Sequence, residues 1–157
     1  RQRQMCIRDR NNAKLVDFLN SWAEGVIKIG QAFLDETNYK KVALDFLSQH
    51  YAFKTQQVLF KPTFTRENVF RNDLDAALSY FIGGKFSEDN GFALRPWETI
   101  KLQELNILNE ENLSTAMGTL LFKPVSSSET TLVAFTFVFC EEEEAIKIKI
   151  HHSSPVV

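Results

Sequence analysis

Thiolate and imidazole chemistry has little material here: the 157 residues include two Cys and three His. No Cys-x-x-Cys pair, His-Glu-x-x-His, Gly-x-Gly-x-x-Gly, phosphate loop or Gly-x-Ser-x-Gly occurs. The usual zinc, dinucleotide, nucleotide and serine-hydrolase arrangements are therefore missing. No apolar run approaches the roughly 18 residues of a membrane span. Neither charge dominates, with 18 Lys+Arg against 20 Asp+Glu and a net charge of -2. That balance lacks the basic face that nucleic-acid binding requires. What is present is apolar: 44% of residues are hydrophobic and 14 are Phe, enough for one domain with a core that needs no disulfide or metal.

The first ten residues, Arg1 to Arg10, hold four Arg and one Asp before any amphipathic pattern begins. Met5-Cys6-Ile7-Arg8-Asp9-Arg10 resembles the translation of a transposase end sequence used in library preparation. Residues 1–10 are read as a non-native, disordered scar and set aside. The domain is residues 11–157, with a net charge of -5 and Cys140 as its only cysteine. One cysteine forms neither an intramolecular disulfide nor a thiolate zinc cluster. The native start is expected to be missing, and the compartment is unreadable.

From Asn12, the apolar positions Leu15, Leu19, Trp22, Val26, Ile29 and Phe33 form one helical stripe over about 20 residues. Gly25 and Gly30 inside it imply close packing against another element. Tyr39, Val42, Phe46, Leu47 and Tyr51 predict a second helix, with His50 near its end as a surface or dipole partner. Gln57 to Phe60 reads as a short strand stopped by Pro62. Asp73 caps a third helix through Leu74, Ala77, Leu78 and Phe81, ended by Gly83-Gly84. Lys85 to Pro96 reads as a loop. Strands starting near Trp97, Leu113, Thr130 and Ala145 are separated by short polar turns, which predicts an antiparallel meander. The middle two strands are apolar on both faces, so the sheet is expected to be covered on both sides over part of its length. Glu141 to Glu144 reads as a solvated turn.

This order describes an α+β cone, with helices covering the concave face of a curved sheet. It resembles the nuclear transport factor 2-like superfamily, a fold that hosts catalysis, binding and oligomerisation alike.

The unusual feature is His151-His152-Ser153-Ser154 at the end of the last strand. Parity with Ile146, Ile148 and Ile150 favours His152 and Ser154 as the inward pair, and a bulge would substitute His151 and Ser153. A His and a hydroxyl two residues apart on one face can hold an oxyanion or pass a proton. Thr63 and Tyr80 lie where the cone mouth could recruit them, although alone they read as a turn residue and a core aromatic.

Six blocks in register carry a more specific resemblance. They are Trp22-Ala23-Glu24-Gly25, Val58 to Thr63, Ala77 to Gly84, Asp89 to Trp97, Ala116-Met117-Gly118 and His151 to Ser154. Together they resemble the iota-class carbonic anhydrases and their bacterial relatives. The resemblance implies reversible hydration of carbon dioxide to bicarbonate without metal or cofactor, in a homodimer. It also implies that Thr63, Tyr80 and one His-x-Ser pair hold bicarbonate; parity favours His152 with Ser154 over His151 with Ser153, which makes His152 the expected base or shuttle. The expected partner is this small substrate, with neither nucleic acid nor membrane. A non-catalytic ligand-binding or oligomerisation domain of the same superfamily is the alternative, and it predicts that these groups do not converge.

Overall fold

The computed structural model describes residues 2–157, with side chains described from Arg10 onward. Helix α1 spans Gln2–Leu34, and the Leu15, Leu19, Trp22, Val26 and Ile29 stripe is buried as predicted. The backbone from Gln2 continues this helix, where disorder was expected. Elongating an existing helix is far easier than nucleating one, and Arg, Gln and Met favour it. The origin of residues 1–10 and the side chains of residues 1–9 lie outside the description.

Helix α2 (Tyr39–His50) starts where Asn38 accepts from the Lys41 amide. It crosses α1 at Gly25, where a Cβ would come 2.4 Å from the Phe46 ring. A three-residue strand β1 (Leu59–Lys61) follows, then α3 (Leu74–Ile82), capped by the Asp73 carboxylate and closed by Gly83 at φ 80°. The predicted loop contains a 3-10 turn, Phe92–Leu94, seated on α1 at Gly30. A Cβ on Gly30 would meet the Ala93 carbonyl at 2.6 Å.

Strands β2 (Trp97–Glu110), β3 (Leu113–Pro124), β4 (Thr131–Glu142) and β5 (Ala145–Pro155) form the expected antiparallel meander. The sheet order is β1-β5-β4-β3-β2, with β1 added parallel to β5. The helices cover the inner face, where Val133, Phe135, Phe137 and Phe139 of β4 are buried. The opposite face is only half-buried at Leu121, Leu132, Val138 and Ile150, so within this chain the expected second cover is absent. In the acidic turn, Glu142 departs from the solvated reading: it is buried and accepts from the Thr55 amide and hydroxyl.

His50 is also buried rather than superficial. Its Nδ1–H donates to the Phe46 carbonyl at 2.8 Å, and Nε2 accepts from the Ser21 hydroxyl at 2.9 Å. Burial lowers its pKa to about 4. The unfolded chain therefore binds the proton more readily, and the stability from neutral His50 is lost as pH falls from 6.5 toward 4. That span corresponds to about 3 kcal/mol. Urea denaturation across this range is expected to show that loss, and His50→Gln a flatter profile.

Candidate active site

The end of β5 decides the site. Phe139 pairs with Ile148 while the adjacent Val138 pairs with Ile150, so Lys149 is an extra residue in β5. This bulge reverses the parity downstream. His151 and Ser153 are buried facing the helices, His152 is exposed and Ser154 is half-buried. The preferred inward pair, His152 with Ser154, is thus corrected to His151 with Ser153.

Thr63, Tyr80, His151 and Ser153 meet on one small cavity of about 10 Å³, about the space one water needs. Each arrives on a different support. Thr63 follows the Pro62 stop of β1, and Lys61 ties that strand to β5 by donating to the Ser153 carbonyl at 2.9 Å. Tyr80 comes from the last turn of α3. The remaining wall is apolar, chiefly Phe60, Phe81, Phe92, Phe122 and Trp22. Phe60 stacks on the His151 ring at 4.6 Å and Phe137 meets it edge-on at 4.5 Å, which holds the imidazole in place.

Behind the cavity runs a buried hydrogen-bond chain. Trp22 Nε1–H donates to the Tyr51 hydroxyl at 3.1 Å, Tyr51 lies 2.8 Å from His151 Nδ1, and His151 Nε2 lies 2.6 Å from Ser153 Oγ. Trp is a donor only, so the chain has a direction. With the Trp22 bond accepted, the proton of fully buried Tyr51 is satisfied by donating to Nδ1. Nε2 then carries the imidazole proton and donates to Ser153, whose own proton is free to face the cavity. Burial, with smaller repulsion from His152 and Lys61, lowers the His151 pKa and keeps the ring neutral.

Tyr80 contributes the opposite condition. Its hydroxyl is the one buried side-chain polar atom among the described residues without a hydrogen-bond partner. Burial raises its pKa, and the Phe64 amide and Thr63 hydroxyl, close by but outside hydrogen-bond geometry, only soften the rise. An unpaired buried hydroxyl costs about 1–3 kcal/mol, which a ligand's acceptor would recover.

The wall carrying Phe92 is anchored by a buried ion pair. Arg71, 0% exposed, donates through Nη1 and Nη2 to both Asp89 carboxylate oxygens at 2.7 and 2.8 Å. Ser79 donates to the same carboxylate and accepts the Lys85 and Phe86 amides, fastening the loop to α3.

Sequence reading missed Tyr51 and Trp22 as polar members of the site, having counted both as helix-stripe residues. The available signal was that a buried Tyr or Trp nearly always needs a partner for its O–H or N–H. Among the described residues, no group of three or more His, Cys, Asp or Glu is placed to hold a metal ion.

The cone is shared with other proteins. A crystal structure of an iota-carbonic anhydrase from a cyanobacterium, complexed with bicarbonate, superposes with a TM-score of 0.86 at 27% identity, covering 92% of each chain. A nuclear transport factor 2-like protein with a cystatin-like fold from Novosphingobium aromaticivorans shares the fold at a TM-score of 0.63 and 8% identity, covering 99% of this chain and 86% of that one. The metal-independent carbonic anhydrase of Nostoc sp. (strain PCC 7120 / SAG 25.82 / UTEX 2576) is 30% identical over 140 residues, 85% of this chain and 68% of that protein. The family model for metal-independent carbonic anhydrase matches residues 13–155. With the model spanning nearly the whole domain, this chain belongs to the metal-independent carbonic anhydrase family.

Proposed function

We propose that this chain hydrates carbon dioxide reversibly to bicarbonate where the small cavity between α3 and β5 meets the open space in front of Thr63, Tyr80 and Phe92, with Thr63, Tyr80, His151 and Ser153 as the working groups. The observation that carries the assignment to this cavity is the unpartnered Tyr80 hydroxyl on its wall. The aromatic lining suits carbon dioxide, which has no hydrogen to donate and no net charge. The hydroxyls suit the product, whose oxygens accept. Convergence of Thr63 and Tyr80 with an inward His is also the condition that separates catalysis from the non-catalytic alternative.

Ser153 is the centre of the proposed chemistry. Its Oγ has two acceptor positions and one proton; one position is filled by His151 Nε2–H. The other accepts from a water poised to attack carbon dioxide. As the water oxygen bonds to carbon, its proton passes to Ser153 Oγ and the Ser153 proton passes to a carbon dioxide oxygen, whose π pair receives it. The step yields carbonic acid, which gives a proton to water at the mouth of the cavity and leaves as bicarbonate; in reverse, bicarbonate held at the mouth takes up a proton there before it is dehydrated. No full charge forms in the apolar cavity, while the Tyr80 and Thr63 hydroxyls donate to the oxygen on which charge gathers. His151 serves here as a fixed donor that orients Ser153 rather than as the base expected of His152.

The uncovered sheet face supports a homodimer. Half-buried Leu121, Leu132, Val138 and Ile150, with Met117 55% exposed, form an apolar strip for a second copy of this chain. Chelator-treated protein is expected to accelerate the pH drop of carbon dioxide-saturated buffer in stopped flow, and to sediment at twice 18.1 kDa. A background rate in that sample, or a rate restored only by a divalent ion, defeats the metal-free assignment, and a monomer in sedimentation defeats the dimer.

A further inference from the structure

Outside the cavity lies a much larger open cleft of about 690 Å³ that shares Thr63, Tyr80 and Phe92 with it. Four charged side chains line this cleft: Arg66, Glu88, Asp89 and Arg95. Both carboxylates are already engaged. Asp89 is held by buried Arg71. Glu88 accepts the Arg66, Glu67 and Asn68 amides, which lower its pKa, and lies 3.5 Å from Arg71 Nη2. The Arg66 and Arg95 guanidiniums have no carboxylate partner among the described residues. Arg95 is fixed with its guanidinium 4.8 Å over the Trp97 ring on the cleft wall. With Arg71 and Asp89 paired, Arg66 and Arg95 stand against the single carboxylate of Glu88, so the mouth is net positive on a chain whose net charge is -2.

We propose that this cleft is the port for bicarbonate, and that Arg66 and Arg95 draw the anion in and hold it at the threshold of the cavity. The inference rests on the assignment of the cavity as the hydration site. Carbon dioxide is neutral and apolar and needs no such field. Bicarbonate is a planar anion with paired acceptor oxygens, which the guanidinium fork matches. It must also approach a surface that is acidic overall. A cleft with a net positive charge focuses the field and raises encounter with an anion.

The arginines are positioning residues, and their signature is charge rather than shape. The test compares wild type with the double variants R66Q/R95Q and R66K/R95K, in both reaction directions and across ionic strength. It is joined by an equilibrium titration with 13C-labelled bicarbonate, which needs no turnover. At low ionic strength the Gln variant is expected to lose about tenfold in kcat/KM. The loss is the same in both directions, because the solution equilibrium between the substrates fixes their ratio. Its bicarbonate dissociation constant rises by a similar factor, the gap closes near about 0.5 M salt as screening sets in, and the Lys variant keeps most of the wild-type behaviour. A loss that persists unchanged at every ionic strength, or an unchanged bicarbonate affinity, overturns the proposal. Full activity in Ser153→Ala would instead overturn the cavity assignment, and the bicarbonate titration would still report on the arginines.

Discussion

Ser153→Ala is expected to lower kcat for carbon dioxide hydration by about 10²–10³-fold, the range of one positioned proton-transfer group. The substitution removes Ser153 Oγ, which bonds His151 Nε2–H at the wall of the cavity. Water can still enter, and Tyr80 and Thr63 still donate, so binding of bicarbonate weakens less than turnover. The stability cost is about 1–3 kcal/mol, because Ala fits the space of Ser but the buried His151 Nε2–H loses its acceptor. His152→Ala provides the contrast. That imidazole is exposed on the outer face of the sheet, and its removal is expected to leave kcat within about twofold, as for an exposed position with no special contact. Stopped-flow rates of the two variants, with circular dichroism to confirm folding, separate the two registers of the terminal motif. Equal losses, or a larger loss for His152→Ala, would refute the inward assignment of Ser153.

Asp89→Ala is expected to destabilise the fold by about 3–5 kcal/mol, the cost of leaving a buried charge alone. Arg71 is fully buried, and the neighbouring Glu88 contact at 3.5 Å is too long to replace a bidentate pair. In a domain of this size such a loss lowers Tm by roughly 10 °C. The same substitution frees Ser79 from its carboxylate and loosens the loop that carries Phe92, so turnover falls in the fraction that remains folded. Urea midpoints give the first effect and rates well below Tm the second. The double variant R71M/D89L, with no charge left to strand, is expected to recover much of the stability. A midpoint for Asp89→Ala within error of wild type would show that Arg71 finds another partner.

Helix boundaries were legible where spacing and caps agreed, as in α3, whose Asp73 and Gly83 mark both ends in the letters as in the fold. The meander was legible because short polar turns leave no other pairing. Strand β1 was legible as a short apolar run stopped by Pro62, but its partner was not: it pairs in parallel with the edge of β5, about 90 residues away. Tyr51 and Trp22 were hidden because a stripe of apolar positions does not distinguish a ring from the polar atom at its tip. The chemical types of the site, two hydroxyls and a His-x-Ser pair, were visible together only through the six blocks. Which pair faces inward was hidden, since strand parity assumes an unbroken ladder and the break is a backbone event with no side-chain signature.

That break gives the doubled His-His-Ser-Ser an unusual property. In either register of β5 an imidazole and a hydroxyl two residues on would point into the cone, so the four letters are degenerate with respect to a one-residue slip. The information that selects the working pair resides in the path of the chain at Lys149. Two relatives could carry the same four residues and use different ones, and matching them letter by letter would conceal it.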